Sequence, residues 1–61
     1  MNKSQLKQMS NIRFYVVNGM PDAAARGLSA MIRAAMSNKS KAALMAAAVE
    51  LNLTNHPEFI V

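Results

Sequence analysis

The sequence has no cysteine and no tryptophan, and His56 is its only histidine. Without cysteine there is no disulfide to hold a small fold together, and one histidine with three acidic residues makes a structural metal site improbable. A chain of 61 residues allows one domain with a marginal core. We therefore expect the chain to gain stability by associating with a second copy of itself or with a larger partner.

The sequence also lacks the features of a membrane protein, a secreted protein or an enzyme. It has no uninterrupted apolar run of the roughly 18 residues needed to cross a bilayer, and its polar start lacks the apolar stretch of a signal peptide. It has no nucleophile with a base, no carboxylate pair and no metal-ligand cluster from which to build catalysis. We expect a cytoplasmic binding protein with no catalytic residues, no cofactor and no metal.

Charge is distributed unevenly along the chain. The net charge is +4, but residues 1–41 hold all seven lysines and arginines against Asp22 alone, whereas residues 42–61 hold only Glu50 and Glu58. A basic front half suggests a polyanion or an acidic protein surface as the partner. The alternative is a solvated surface with no binding role.

Residues 1–10 are polar with two lysines, and we expect a flexible basic arm, with a short amphipathic helix as the alternative. Residues 11–17 form the only cluster of β-branched and aromatic residues, so we predict a strand there, ending at Asn18-Gly19. Alternation places three apolar side chains on one face of that strand: Ile12, Phe14 and Val16. A lone strand must pair, and pairing with a second copy is the simplest solution, because Met20-Pro21 leaves no room for an intrachain hairpin.

Two helices are predicted after the strand. Pro21 and Asp22 suit a helix start, and the apolar periodicity continues to about Met36. Gly27 lies within this helix, where close packing against a neighbouring backbone is its expected role. After a polar break, with Asn38 or Ser40 as the cap, the second helix is expected from about Lys41 to Asn52. Residues 54–61 form a tail that either folds back onto the core or offers three apolar residues to a partner protein: Phe59, Ile60 and Val61.

Two stretches of this pattern resemble a known family. Asn11-Ile12-Arg13-Phe14 is similar to the strand, and Ser40 to Glu50 is similar to the second helix, of the ribbon-helix-helix repressors of phages and plasmids. The resemblance implies a mostly α fold, with one strand before two helices over residues 11–53, built as an intertwined homodimer. Its paired strands would enter the major groove of double-stranded DNA.

The resemblance also implies roles for particular residues. Three polar side chains of the strand would contact bases: Asn11, Arg13 and Tyr15. The start of the second helix would bind a backbone phosphate through Lys39, Ser40 and Lys41. The residues implied as the dimer core are Ile12, Phe14, Val16, Leu28, Ile32, Leu44, Ala48 and Leu51. The expected function is a dimeric, sequence-specific transcriptional repressor.

A second function comes from the methionines. Methionine adapts to irregular partner surfaces, so a surface built from Met20, Met31, Met36 and Met45 would suit a small phage-type inhibitor or adaptor that binds a host protein. Ordinary filling of gaps in the core is the alternative explanation of these residues.

Overall fold

The computed structural model describes all 61 residues and contains three α-helices and no strand. α1 spans Lys3–Val17, α2 spans Pro21–Ala34 and α3 spans Asn38–Glu50. Turns without regular secondary structure make up residues 51–61. α2 packs against both α1 and α3, and the short connections make each pair of consecutive helices antiparallel.

The predicted strand over residues 11–17 is wrong, because this segment is the second half of α1. The reason lies in how the segment ends. Gly19 has a φ of +71°, and its N–H donates to the carbonyl of Val16 at 3.2 Å. The N–H of Met20 donates to the carbonyl of Tyr15 at 2.8 Å. This pair of bonds is the Schellman arrangement that closes helices, so the Asn-Gly pair ends a helix and not a strand.

Helix α1 begins much earlier than the predicted strand. The side chain of Asn2 accepts a hydrogen bond from the N–H of Gln5 at 2.8 Å, and the side chain of Gln5 accepts one from the N–H of Asn2 at 2.9 Å. This reciprocal capping box satisfies two donors at the helix start. Residues 3–10, expected as a flexible arm with a short amphipathic helix as the alternative, form the first half of α1, which continues through residue 11.

A helical period changes which side chains of this segment face inward. Met9 and Ile12 are buried and Val16 is partly buried, since the three positions share one face of a helix. Phe14 is 52% exposed, although a strand would have placed it beside Ile12 and Val16. The prediction that Phe14 belongs to the core is therefore wrong.

The two later helices are where the sequence predicts them, with shifted ends. Pro21 begins α2 as expected, and α2 ends at Ala34. The cap of α3 is Ser37, whose hydroxyl accepts a hydrogen bond from the N–H of Ser40 at 3.1 Å. Neither of the two expected caps is used, and α3 accordingly begins three residues before the expected Lys41.

The core closes within one chain. Its buried apolar residues come from all three helices and the tail: Met9, Ile12, Ala24, Ala25, Leu28, Met31, Ile32, Ala35, Leu44, Ala47, Ala48 and Leu53. Of the predicted dimer core, Val16 and Leu51 lie at the edge of this cluster and Phe14 lies outside it. The radius of gyration is 10.3 Å, close to the value of about 10.5 Å expected for one folded domain of this length. The intertwined ribbon-helix-helix dimer is therefore wrong as the architecture, whereas association of two folded copies stays a prediction.

Gly27 packs closely against a neighbouring helix, as expected. However, the neighbouring atom belongs to a side chain and not to a backbone. A Cβ atom at position 27 would lie 2.6 Å from Cδ1 of Ile12, so the absence of a side chain lets α1 approach α2 closely. Ile12 is only 3% exposed.

The tail folds back onto the core, which was one of its two expected arrangements. Asn52 has a φ of +60°, and the N–H of Leu53 donates to the carbonyl of Ala48 at 2.9 Å, which closes α3 with a second Schellman turn. Leu53 is buried and Phe59 packs against the core. Ile60 and Val61 remain exposed.

Ser29 of α2 fixes the tail. Its hydroxyl donates to the carbonyl of Ala25 at 2.7 Å and accepts from the N–H of Ile60 at 2.9 Å. Arg33, one turn further along α2, donates to the carbonyl of Ile60. The end of the chain is therefore hydrogen-bonded along the surface of α2.

Candidate nucleic-acid interface

Two arginines form ion pairs with all three acidic side chains. Arg13 of α1 lies 3.3 Å from Glu50 at the end of α3, and Arg26 lies 3.2 Å from Glu58 and 3.8 Å from Asp22. The planar guanidinium suits such pairing with carboxylates better than an ammonium does. No carboxylate is left to pair with a lysine.

All four lysines of the chain consequently lack an acidic partner. Lys3 and Lys7 lie in the first two turns of α1, and Lys39 and Lys41 lie in the first turn of α3. All four are exposed. We call this set the lysine pole.

The two pairs of lysines belong to the same end of the molecule because α1 and α3 run in parallel. Asn2 and Lys39 line one cleft, and Arg13 and Glu50 form an ion pair eleven residues further along each helix. Eleven residues span roughly 16 Å in any α-helix, so the two helices stay in register between these points. The first turns of α1 and α3 therefore lie at the same end of the molecule, on either side of this cleft.

The cleft between these first turns has a volume of about 400 Å³. Its lining is mainly polar and comprises Met1, Asn2, Gln5, Lys39, Ser40 and Ala43. The positive ends of two helix dipoles meet here and add to the charge of the lysines. The electrostatic potential at this end therefore favours an anion.

The predicted phosphate site at Lys39, Ser40 and Lys41 lies on this pole. However, the N–H of Ser40 donates to the hydroxyl of Ser37, and the N–H of Lys41 donates to the carbonyl of Ser37 at 3.0 Å. Backbone donors of these two residues are therefore occupied. What the site offers an anion is the charge of its ammonium groups.

The three predicted base-contacting residues do not lie together. One helical residue turns by about 100°, so Asn11 and Tyr15 share a face of α1 and Arg13 points to the opposite side. Arg13 is held there by Glu50, whereas Asn11 and Tyr15 line a separate hollow between α1 and α2. The prediction that these three side chains act together required a strand, in which alternate residues share a face.

The hollow between α1 and α2 has a volume of about 160 Å³. Its polar side is formed by Gln8, Asn11 and Tyr15, and its apolar side by Ile12, Gly27 and Met31. We call it the α1–α2 hollow. No feature of the sequence alone indicated it, since it depends on which faces of the two helices meet.

The methionines do not form the surface expected of them. Met31 is buried and Met45 packs against the core, which agrees with gap filling. Met20 and Met36 are exposed but lie in the turns at opposite ends of α2. The exposed apolar side chains that do share a helix face are Leu6, Phe14 and Val17 of α1.

The contribution of Lys3 and Lys7 was not predicted, because both residues were expected to lie in a separate flexible arm. The signal that could have found them is the Asn2-Lys3-Ser4-Gln5 pattern of a capping box, which predicts a helix start at this point.

Comparison with protein-family models, with curated proteins and with solved structures finds no match to this chain. None of its helices combines the length and the apolar character required to cross a bilayer. No three histidine or acidic side chains come together in a way that could hold a metal ion.

Proposed function

We propose that the protein is a small cytoplasmic nucleic-acid-binding protein that acts by binding and not by catalysis. The observation that carries the proposal is the lysine pole: four ammonium groups at one end of the molecule, with every carboxylate paired elsewhere. Phosphate backbones bind such surfaces by releasing their condensed counterions.

The chemistry of the pole favours contact with the backbone of the nucleic acid over recognition of base sequence. Lysine ammonium groups are compact charges on flexible stems, and they lack the fork by which arginine contacts guanine. Contacts of this kind position a protein on nucleic acid and carry no sequence information. Discrimination between ligands must come from another part of the surface.

The salt dependence of binding tests the proposal. If all four lysines contact phosphates, the slope of log K against log salt concentration is about −3.6 for duplex DNA, or about −2.8 for a single strand. Fluorescence anisotropy of a labelled oligonucleotide, titrated with the protein at a series of salt concentrations, gives this slope directly. We expect the double variant Lys39→Gln/Lys41→Gln to reduce it by about half.

A matched control removes the same amount of charge elsewhere. The double variant Arg13→Gln/Arg26→Gln also loses two positive charges, but both arginines are exposed and paired with acids away from the pole. Its slope should stay near that of the unaltered protein. Equal losses in the two double variants, or no binding at low salt, would show that the lysine pole is not a nucleic-acid site.

A second candidate is a protein-binding adaptor, favoured by the exposed stripe of Leu6, Phe14 and Val17 along α1. A partner helix could cover such a stripe. The double variant Phe14→Ser/Val17→Ser would abolish binding to a protein partner and leave salt-dependent binding to nucleic acid unchanged. The proposal based on the lysine pole is preferred because the arginines pair with all the acidic side chains, which leaves the four lysines free to bind an anion.

A further inference from the structure

The α1–α2 hollow has the composition of a small-ligand site, with polar groups on one side and apolar surface on the other. Ile12 and Met31 supply the apolar part, and Gly27 adds a stretch of helix surface without a side chain. The polar part consists of two carboxamides and a phenol, from Gln8, Asn11 and Tyr15. Sites for small organic molecules commonly combine apolar surface with a few polar groups that fix the orientation of the ligand.

The polar groups of the hollow are largely free to bind. The side chains of Asn11 and Tyr15 make no hydrogen bond within the chain. Gln8 uses one amide hydrogen to bond the hydroxyl of Ser4 at 3.2 Å and keeps its carbonyl oxygen. A carboxamide offers a donor and an acceptor side by side, which matches the edge of a nucleobase.

We propose that the α1–α2 hollow binds a single unstacked pyrimidine base of a single-stranded nucleic acid. This inference rests on the proposed function, and it names the form of nucleic acid that the protein binds. The volume of about 160 Å³ is close to that of an enclosed cavity of about 150 Å³ that accepts one benzene molecule. Because the hollow is open to solvent on one side, it would cover one face of such a ring. Bases inside a duplex are stacked and paired, so they cannot enter the hollow.

The position of the hollow connects it with the lysine pole. Lys7 lies one residue before Gln8 and one helical turn before Asn11, on the same helix. Residues four apart on a helix are neighbours, so the side chain of Lys7 begins next to that of Asn11 and its ammonium can reach the rim of the hollow. A strand whose phosphates contact the pole would therefore pass the hollow with a base within reach of it. Tyr15 offers its ring for stacking with that base.

The test compares oligonucleotides of about 12 nucleotides, a length within the footprint of small single-strand-binding domains. We expect oligo(dT) to bind more tightly than both a duplex of the same length and oligo(dA), measured by anisotropy at one salt concentration. Asn11→Ala should weaken binding of oligo(dT) by about fivefold, leave the slope with salt unchanged and leave duplex binding unchanged. The same titration with oligo(U) distinguishes an RNA strand from a DNA strand.

Ser10→Ala is the matched control, because Ser10 is an exposed neighbour of Asn11 whose side chain points away from the hollow. Both substitutions introduce alanine at exposed helical positions, so neither should unfold α1. Equal affinity for oligo(dT), oligo(dA) and duplex, with no effect of Asn11→Ala, would overturn the base site while the lysine pole stands. Absence of any nucleic-acid binding would overturn both.

Discussion

Replacing Gly19 with alanine tests the turn that closes α1 after residue 17. Gly19 follows α1 with a φ of +71°, a conformation that an L-residue with a side chain adopts only at a cost. A Cβ atom at this position would meet nothing within 4 Å. The substitution therefore isolates the backbone term, because no contact is lost and no clash is created.

The magnitude follows from two opposing terms. The left-handed conformation costs an ordinary L-residue about 1–2 kcal/mol. Alanine also reduces the conformational entropy of the unfolded chain, which raises the free energy of unfolding by about 0.4–1 kcal/mol. We expect Gly19→Ala to destabilise the protein by roughly 1 kcal/mol, which lowers Tm by about 4–8 °C in a domain of this size. Asparagine tolerates this conformation better, so Gly19→Asn should have a smaller effect.

Urea unfolding followed by circular dichroism at a helical wavelength measures these differences. The sharpest control is a chemically synthesised chain with D-alanine at position 19. It has the same atoms as the L-alanine variant and the opposite chirality, which favours positive φ. We expect the D-alanine chain to be more stable than the glycine chain by up to about 1 kcal/mol, through restriction of the unfolded state. Equal stability of the two alanine chains would refute the assignment of Gly19 to a left-handed helix cap.

Three further substitutions probe the core and the tail, and a fourth, Val17→Ala, is an exposed control. Ser29→Ala removes the hydroxyl that accepts from Ile60, and we expect a loss of about 1 kcal/mol together with faster amide exchange at the end of the chain. Leu28→Ala, at a fully buried position, should cost about 2–5 kcal/mol in urea unfolding, whereas Val17→Ala, 80% exposed, should change stability by less than about 0.5 kcal/mol. Asn52→Gly should hold or raise Tm, because the φ of +60° suits glycine better than asparagine.

The sequence was sufficient to predict α2 and α3 because their signals are local. Pro21 and Asp22 mark the start of α2, and a polar stretch separates the two helices. The ends were less well predicted, since three neighbouring polar residues could each have capped α3 and the structure uses Ser37. Which hydroxyl caps a helix depends on backbone geometry that composition does not contain.

The error over α1 has a specific physical cause. Ile12 and Val16 are four residues apart, so they share a face in a helix as well as in a strand. Phe14 and Tyr15 distinguish the two periods within that segment, since Phe14 is exposed and Tyr15 packs against the core. An exposed phenylalanine is uncommon enough to favour the wrong choice. Met9, which continues the helical period towards the N-terminus, lay outside the short window that suggested a strand.

Only half of the candidate site could be predicted from the sequence, for a related reason. Lys39 and Lys41 were predicted to bind phosphate, but the addition of Lys3 and Lys7 requires that α1 be a helix running parallel to α3. The ion pair between Arg13 and Glu50 joins residues 37 positions apart in the sequence. Contacts of that range follow from the packing of whole helices and have no local signal.

The arginines form ion pairs within the fold whereas the lysines are left unpaired, so we expect salt to affect folding and binding differently. The ion pairs of Arg13 and Arg26 are exposed, and pairs of this kind contribute about 0–1 kcal/mol each to stability. The fold depends instead on apolar burial, which moderate salt leaves intact. The lysine pole acts only through charge, so its affinity for phosphate falls steeply over the same range of salt. Raising the salt concentration should therefore release nucleic acid from a protein that stays folded.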